Sequence, residues 1–597
     1  MKKHSYSNQS GGIDKNRIKI LQVFFTVVFV SLFIFLFKLQ VTGNKDISDA
    51  ADKQEINIKT PQRGNIYFTD KAGTLIPVAI NKSYKTIAVD PKTLKRDNQV
   101  DIAAELMAPI LNTSKDKLLV IFSKPNSQYE ILVKHTDDDI LVNKISNLKT
   151  KDENGKEVRI KGLNISEEFE RYYPLENVGS QVIGFIAKSQ KSDKAIGMYG
   201  LEKYYNDTLD GTEGVFSGYK DAAGRLIRSL ASQEKMSVNG DSLITTIDKN
   251  IQYQAEEEIK SLVKSRQASS GLILAMDPIS GKMLAMAGYP NFNPNEFFNV
   301  DDYIVYRNLG VEEPVEIGSV MKVITMSAAI DTNSVMPNTT YYDSGTVKIG
   351  DRTIRNYEDE HYGTATMTKV LEKSINTGAI FAAQKTGYKI FYDYLKRYKF
   401  NDVTGIDLPN EQSGDLDNLE KKYVPEVNYA TAAFGHGVLV TPLAMLRGYA
   451  TIANGGFLVN PYIVDTIKSP DGSYSSANKQ ELINEAVIKK STAKTITDMM
   501  VSVVEHGYGS RAKVKGYSMA GKTATADIVV AGKYTNDTIQ SFAGFFPAYK
   551  PKVAMIVLLR KPAVGATASA NVTYGFHNIA QFIIDYYNIP PDEEIKK

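Results

Sequence analysis

The hydrophobic pattern of the chain is dominated by one uninterrupted apolar run near the N-terminus. Residues 20–37 read ILQVFFTVVFVSLFIFLF and contain no charged side chain. As a helix rising about 1.5 Å per residue, this run is roughly 27 Å long, close to the ~30 Å hydrocarbon core of a bilayer. A cleaved signal peptide and a buried core helix are the alternatives, but no A-x-A-like cleavage site follows the run. The pattern therefore predicts one uncleaved transmembrane helix over residues 20–40.

The charges that precede this run predict its orientation. The segment before it carries one acidic residue and five basic ones, namely Asp14 against Lys2, Lys3, Lys15, Arg17 and Lys19. Positively charged flanks remain on the cytoplasmic side of a membrane. Residues 1–19 are therefore expected to form a cytoplasmic tail. The chain beyond the span, beginning with a polar linker over residues 41–60, is expected outside the cytoplasm.

Two further modules follow from the pattern of the exported part. Residues 61–241 alternate short β-type runs with turns and polar, lysine-rich segments, and they contain no candidate catalytic cluster, which predicts a strand-rich supporting module. Beyond them, two apolar runs joined by DPISGK predict a β-hairpin, a helix-rich stretch covers residues 319–453, and residues 540–562 predict a second hairpin. Strands at both ends with helices between them predict an α+β domain over 242–590, followed by a charged tail over 591–597.

Composition narrows the chemistry that this chain can perform. The 597 residues include 71 Lys plus Arg against 68 Asp plus Glu, and no Cys. The charge balance lacks the clustered basic excess that binds nucleic acid, and the missing cysteine excludes disulfides, thiolate metal sites and a cysteine nucleophile. The acidic stretch at residues 358–361 is interpreted as a charged loop rim, because no second ligand group is spaced to complete a metal site. The chemistry must rest on Ser, Thr, Lys, Asn and carboxylate groups.

Ser319 and Lys322 form an S-x-x-K pair. On a helix this spacing places both side chains on one face, so that an unprotonated amine can activate the hydroxyl as a nucleophile. The spacing alone says little, because it recurs at Ser114/Lys117, Ser146/Lys149, Ser232/Lys235, Ser476/Lys479, Ser491/Lys494 and Ser510/Lys513. Ser319 differs from these in its context, since a Glu-Ile-Gly loop precedes it and an apolar helical run follows it.

Two further motifs follow Ser319 in order. Ser374-Ile375-Asn376 leads into an apolar helical segment, and Lys522-Thr523-Ala524-Thr525 precedes a β-type run. The order S-x-x-K, S-x-N and a lysine-threonine strand is that of penicillin-binding proteins and serine β-lactamases. A literal Lys385-Thr386-Gly387 lies only nine residues after the S-x-N motif, within a helical pattern, and is interpreted as a chance match.

The wider sequence resembles the class B penicillin-binding proteins, which are membrane-anchored peptidoglycan D,D-transpeptidases. The similarity extends over almost the whole exported chain. It is carried by RGNIYFTDKAGTLI, GLEKYYNDTLDGTEG, TTIDKNIQYQAEEEI, EIGSVMKVIT, TGIDLPNEQSG, FGHGVLVTPLAMLRGYATIANGG and AGKTATA, which follow in family order. The segment DAAGR at residues 221–225 is similar to division-type members more than to elongation-type ones.

The resemblance implies a fold and a set of site residues. The fold is a pedestal, or dimerisation-like, module over 61–241, then a transpeptidase domain related to serine β-lactamases, with an antiparallel sheet flanked by helices and an all-helical subdomain. The resemblance implies that Ser319 is the nucleophile and Lys322 its base, with Ser374, Asn376 and Lys522 as further catalytic residues. It assigns substrate binding to Thr523, Ala524 and Thr525, and it requires neither a metal nor an organic cofactor.

The implied activity is that of a serine-type D-Ala-D-Ala transpeptidase/carboxypeptidase. Such an enzyme cross-links the stem peptides of peptidoglycan and its lipid-linked precursor, here at the septum, and binds β-lactam antibiotics. The implied location is the bacterial cell membrane, with one span, a cytoplasmic N-terminus and an extracytoplasmic catalytic domain. The implied partners are a membrane glycosyltransferase and other wall-synthesis or division proteins, and no nucleic acid.

Two positions depart from the family pattern. Ala524 stands where the third motif normally has Gly, and a methyl group there is expected to narrow the cleft, because glycine allows close backbone approach. His436 stands where the family's FGQG has Gln. Ala524 motivates the alternative of a catalytically weak β-lactam sensor or a structural scaffold. A β-lactamase is a third hypothesis, disfavoured by the large N-terminal module.

Overall fold

The computed structural model describes residues 15–38, 55–151, 155–189, 194–220, 226–227, 234–477, 486–530, 532–565 and 567–592. Most of the predicted cytoplasmic tail and linker, the DAAGR segment and the end of the charged tail lie outside these residues. The described residues form two compact units. One contains the chain up to Pro61 together with Thr212–Val238, and the other contains Gln62–Gly211 together with Asn239 to the C-terminus.

The helices and strands are numbered here in chain order. The helices are α1 (Lys15–Phe37), α2 (Pro91–Arg96), α3 (Val100–Ile110), α4 (Lys115–Phe122), α5 (Asp139–Ser146), α6 (Ser180–Ile183), α7 (Gly200–Tyr204), α8 (Asn206–Asp210), α9 (Lys249–Arg266), α10 (Leu309–Glu312), α11 (Met321–Asp331), α12 (Met367–Glu372), α13 (Asn376–Thr386), α14 (Tyr388–Arg397), α15 (Asp417–Glu420), α16 (Glu426–Ala432), α17 (Pro442–Ala453), α18 (Lys490–His506) and α19 (Val572–Tyr587). The strands are β1 (Glu55–Lys59), β2 (Ile66–Thr69), β3 (Ile76–Val89), β4 (Glu130–Thr136), β5 (Lys149–Lys151), β6 (Glu157–Arg159), β7 (Leu163–Tyr172), β8 (Ile186–Lys188), β9 (Ala195–Gly197), β10 (Gly214–Lys220), β11 (Leu226–Ile227), β12 (Glu234–Lys235), β13 (Ser242–Asp248), β14 (Ser270–Met276), β15 (Met283–Tyr289), β16 (Thr340–Asp343), β17 (Thr346–Ile349), β18 (Arg352–Arg355), β19 (Gly363–Thr366), β20 (Val464–Lys468), β21 (Tyr474–Ser476), β22 (Ala520–Val530), β23 (Lys533–Phe546) and β24 (Val553–Arg560).

The smaller unit contains α1 and a small antiparallel sheet. Within α1, Ile18–Phe37 is long and apolar enough to cross a membrane and none of it is buried against protein. Its length and composition match the predicted membrane anchor. The sheet pairs β10 with β1, β11 and β12, all antiparallel.

In the larger unit, one mixed sheet joins strands from both sides of the predicted boundary at residue 241. Among the described residues its order is β21-β20-β13-β2-β3-β4, with β7 also paired to β3. The strand β13 runs parallel to β2 and antiparallel to β20. Residues close to the N-terminus of this unit therefore hydrogen-bond to the start of the predicted catalytic domain.

A buried ion cluster fixes the start of β2. The carboxylate of Glu202, which is 0% exposed, accepts from Arg63 at 2.7 Å and from Arg171 at 2.6 Å. Burial raises the pKa of Glu202, but the two guanidinium groups outweigh burial and the net shift is downward. The cluster explains why the segments RGNIYF and GLEKYY, far apart in the sequence, belong to one structural unit, because a buried carboxylate needs its cationic partners.

The second sheet of this unit forms the centre of the predicted catalytic domain, and the described elements confirm the predicted α+β fold. Among the described residues its order is β15-β14-β24-β23-β22, antiparallel throughout, with both predicted hairpins present. Alternate residues of β14 enter different cores. Ile273 belongs to the core that contains residues of α9 and α19, whereas Leu272 and Leu274 belong to the core that contains residues of α11, α17 and α18. Two small ribbons, β16–β19 and β17–β18, accompany the helical subdomain.

Candidate active site

Ser319 lies in a short 3-10 turn that runs directly into α11. The preceding Gly318 has φ +63°, a left-handed backbone conformation that favours glycine. A Cβ at this position would also lie only 3.0 Å from Cβ of Ala526, so the position requires glycine. Ser319 is half-buried, and every residue of α11 is buried. The predicted position, where a loop enters a buried helix, is the one observed.

Lys322 lies inside the protein, with 1% of its surface exposed. Its Nζ donates to the carbonyl oxygen of Ser374 at 2.5 Å and to Oδ1 of Asn376 at 2.7 Å, and lies 3.3 Å from Ser374 Oγ. Among the described residues, these are the hydrogen bonds of Nζ, and none joins it to Ser319 Oγ. Burial, and secondly the charge of Lys522, lowers the pKa of Lys322 well below its ordinary value.

Lys522 completes the site from β22. Its Nζ donates to Ser374 Oγ at 2.9 Å and to the carbonyl oxygen of Thr523 at 2.9 Å, and the residue is 0% exposed. Burial lowers the pKa of Lys522 to about 7. The structure thus brings together side chains from three motifs that span about 200 residues of sequence.

Ser374 and Asn376 are held by their backbone. Ser374 has φ +54°, a conformation that is uncommon for a residue other than glycine and is found at functional sites. Asn376 is the first residue of α13, and its Nδ2 donates to the carbonyl oxygen of Arg355 at 2.9 Å, which leaves Oδ1 directed at Lys322. The literal Lys385-Thr386-Gly387 lies at the end of α13, as the sequence pattern predicts.

Among the described strands, β22 is the edge of its sheet, so one side of its backbone can pair with a ligand. Thr523 is buried and Thr525 is half-buried, and Thr525 Oγ1 accepts from the amide of Ala568 at 3.2 Å. Ala524 is 2% exposed and belongs to the hydrophobic core, and its Cβ lies near Gly318, 3.5 Å from where a Cβ would be there. The methyl group of Ala524 therefore packs into the core under the turn that holds Ser319 and does not project into open space.

A second loop contacts the turn that holds Ser319, through groups to which the sequence patterns assigned no role. The amide of Gly437 donates to Glu316 Oε1 at 2.8 Å, and the amide of Gly318 donates to the carbonyl oxygen of Gly435 at 3.3 Å. His436, between these two contacts, lies with its ring centre 5.6 Å from that of Tyr534. Burial, and secondly the charge of Lys322, lowers the pKa of His436 to about 4. Glu316 and His436 lie in the segments EIGSVMKVIT and FGHG that resemble the family, and this position in the sequence was the signal that could have identified them.

The acidic stretch at residues 358–361 is engaged in local contacts. Asp359 pairs with Arg355 at 3.2 Å, and the carboxylate of Glu360 accepts from the hydroxyls of Tyr362 and Tyr508. In the part of the chain that the structure describes, no group of three His, Asp or Glu side chains is arranged to hold a metal ion.

Comparison with known proteins gives a consistent picture. Residues 271–581 match the penicillin-binding protein transpeptidase domain, and residues 58–245 match the penicillin-binding protein dimerisation domain. Stage V sporulation protein D of Bacillus subtilis is 32% identical over 552 residues, which cover 92% of this chain and 82% of that protein. The peptidoglycan D,D-transpeptidase FtsI of Escherichia coli is 27% identical over 560 residues, which cover 93% of this chain and 89% of that protein. The crystal structure of penicillin-binding protein 3 of Mycobacterium tuberculosis complexed with aztreonam superposes with a TM-score of 0.66 at 23% identity, covering 90% of this chain and 99% of that one.

Proposed function

Since the chain belongs to the penicillin-binding protein family, we propose that it cross-links peptidoglycan through an acyl-enzyme formed on Ser319. The family assignment confirms the resemblance seen in the sequence. The activity is that of a serine-type peptidoglycan D,D-transpeptidase. The observation that carries the assignment of roles is the convergence of Lys322 and Lys522 on Ser374, next to the turn that holds Ser319.

Acylation begins with proton transfer from Ser319. Neutral Lys322 takes the hydroxyl proton while Ser319 Oγ bonds to the carbonyl carbon of the penultimate D-Ala of the donor stem peptide. The backbone amides of Ser319 and Thr525 stabilise the oxyanion, each by roughly 3 to 4 kcal/mol as in other acyl-transfer enzymes. The buried position of Lys322 supports this role, because burial disfavours its protonated form.

Expulsion of the leaving group needs a proton. Ser374 Oγ, within reach of both lysine nitrogens, relays the proton from Lys322 to the nitrogen of the departing D-Ala as the peptide bond breaks. Asn376 orients Lys322 through its Oδ1. An amine of a second stem peptide then attacks the acyl-enzyme to form the cross-link, and attack by water gives the carboxypeptidase reaction.

Recognition of the substrate falls to β22. The terminal carboxylate of the donor peptide is held by Lys522 and by the hydroxyls of Thr523 and Thr525, and the carboxylate of a β-lactam occupies the same position. The edge position of β22 supports this assignment, because an extended peptide can pair with its free side. Ala524 contributes its backbone only, since its side chain is buried.

The cellular role follows from the anchor and the relatives. The described residues contain one N-terminal helix that could cross a membrane, and the basic residues before it support a cytoplasmic N-terminus and an extracytoplasmic catalytic domain. The relatives include a peptidoglycan D,D-transpeptidase named FtsI, and this similarity supports a role of the present chain in septal wall synthesis. A membrane glycosyltransferase and other division proteins are the proposed partners, because a single-span transpeptidase needs glycan strands made beside it.

Labelling with a fluorescent penicillin tests this function on the full-length protein in detergent. Wild type should carry a stable covalent label, and Ser319→Ala should carry none. The matched control is Ser510→Ala, which alters another S-x-x-K pair whose lysine is bound to Glu505. Label that persists in Ser319→Ala contradicts the assignment, and rapid loss of label from wild type indicates a β-lactamase. Release of D-Ala from a D-Ala-D-Ala-terminated stem peptide separates an active enzyme from a sensor or scaffold, which would be labelled without turnover.

A further inference from the structure

Two buried amide side chains, those of Gln540 and Asn571, lie close to the proposed carboxylate site without a role in the mechanism above. Gln540 is 1% exposed and Asn571 is 0% exposed. Gln540 is the residue of β23 directly opposite Thr525 in the ladder with β22. Most buried polar side chains make hydrogen bonds, so the contacts of this pair indicate what it holds in place.

The two amides are locked to each other and to one loop. Asn571 Nδ2 donates to Gln540 Oε1 at 2.7 Å, and also lies 3.0 Å from the carbonyl oxygen of Gly565 and 3.2 Å from that of Val564. Gln540 Nε2 donates to the same Gly565 oxygen at 3.3 Å. Gly565 has φ +88°, and a Cβ there would lie 2.4 Å from Asn571 Oδ1, so the packing leaves no room for a side chain.

The pair connects to Thr525 through one short turn. Residues 568–570 form a 3-10 turn, and the amide of Asn571 donates to the carbonyl oxygen of Ala568 at 3.2 Å. The amide of Ala568, the first residue of the turn, donates to Thr525 Oγ1. Gln540 lies on the strand next to Thr525 and bonds Gly565 and Asn571, which flank the turn, and Asn571 holds the turn at its C-terminal end.

The bond from Ala568 determines what the Thr525 hydroxyl can offer a ligand. A hydroxyl has one proton to donate, and Thr525 Oγ1 already accepts from a backbone amide. Within the part of the chain that the structure describes, no acceptor takes the proton of this hydroxyl, so an ionised carboxylate, which only accepts, is a suitable partner. We propose that Gln540 and Asn571 are positioning residues that orient the Thr525 hydroxyl and so set the affinity for the terminal carboxylate of the donor peptide. This inference rests on the carboxylate-binding role of Thr525 proposed above.

The expected signature is a loss of affinity without a loss of chemistry. Asn571→Asp replaces a donating NH₂ by an oxygen that faces three acceptor oxygens, so the turn should move away from Thr525. For a fluorescent penicillin, which carries the equivalent carboxylate, the apparent dissociation constant before acylation should rise about tenfold, the size expected for losing a bond to a charged group. The limiting acylation rate should stay within about twofold. Gln540→Met, which removes the other amide and keeps the volume, should give the same pattern.

The test uses full-length protein in detergent, with both constants taken from the concentration dependence of acylation. Ile579→Ala, in the buried face of α19, is the control for destabilisation, and its dissociation constant should match wild type below its melting temperature. The double variant Thr525→Val/Asn571→Asp should be no weaker than Thr525→Val alone, because Asn571 acts through Thr525. Two results would overturn the inference and leave the proposed function standing. One is an additive loss of affinity in the double variant. The other is wild-type affinity in both Asn571→Asp and Gln540→Met while Thr525→Val binds more weakly. A Thr525→Val variant with unchanged affinity overturns the carboxylate role and the inference together.

Discussion

The side-chain nitrogens of Lys322 and Lys522 reach one oxygen atom, Oγ of Ser374, at 3.3 Å and 2.9 Å. Both lysines are buried, and two ammonium groups at such spacing repel each other strongly in a site with little water. The charge of Lys522 is one of the causes that lower the pKa of Lys322. Burial lowers the pKa of both lysines, and this additional effect supports Lys322 as the neutral amine that the proposed proton transfer from Ser319 requires.

The rate of acylation should depend on pH through both lysines. As pH falls, protonation of Lys322 removes the base, so the rate should decrease on the acid side. As pH rises through about 7, the pKa of Lys522 in the free enzyme, loss of its charge should weaken binding of the carboxylate and the rate should decrease again. The second-order rate constant for a fluorescent penicillin between pH 5 and 9.5 should thus be bell-shaped. Lys522→Arg keeps the charge at all these pH values and should remove the alkaline decrease. A flat wild-type profile would contradict the assignment.

Lys522 should destabilise the folded protein near neutral pH. Its folded-state pKa is about 7, lower than about 10.4 in an unfolded chain, so the unfolded chain binds more protons between these values. The contribution of this residue to stability therefore rises with pH from about 7 to about 10.4, at up to ~1.4 kcal/mol per unit.

The change that tests this is Lys522→Met. It should raise the melting temperature by about 2 °C or more at pH 7, with a smaller gain at pH 9.5. Lys494→Met, which removes an exposed partner of Asp498, is the control and should show no such pH dependence. A Lys522→Met protein that is less stable than wild type at pH 7 would refute the argument.

Ala524→Gly should affect stability more than acylation. The methyl group of Ala524 is buried near Gly318, so its removal should cost ~0.8 kcal/mol for the lost methyl and ~0.5–1 kcal/mol for glycine in a strand. The acylation rate with fluorescent penicillin should stay within about twofold, measured beside the melting temperature. Ala526→Gly removes another methyl from the same face of β22, next to the same glycine, and should behave alike. Tenfold faster acylation in Ala524→Gly alone would show that the methyl narrows the cleft, as the sequence first suggested.

His436→Gln should leave the enzyme active. Because the pKa of His436 is about 4, its ring is neutral at pH 7 and adds no charge beside Lys322 that glutamine would remove. The acylation rate at pH 7 should change by less than about threefold, and the acid side of the pH profile should keep its position. A shift of that side by one unit or more would mean instead that the imidazole titrates with the reaction.

Much of the architecture is determined by local pattern. The apolar run of α1 can be recognised in the sequence because a membrane span needs length and the absence of charge. Both hairpins can be recognised because turn residues separate β-type runs. The order of the three motifs, together with their flanking helices and strand, was sufficient to identify the site residues as candidates. The boundary at residue 241 is different, since β2 and β13 lie on opposite sides of it and pair in one sheet. Pairing between strands that are far apart in the chain cannot be predicted from the local composition of either strand.

The sequence by itself determined which side chains are the candidates for the chemistry, because residue type and order survive in any conformation. Only the tertiary structure decided their protonation and direction. The depressed pKa values of Lys322 and Lys522 arise from burial by segments far away in the chain. The direction of the Ala524 methyl depends on which face of β22 packs against the turn that holds Ser319. The link from Asn571 to Thr525 likewise exists only where a loop folds back on an edge strand. Desolvation and hydrogen bonding depend on distances in space, which spacing along the chain does not fix.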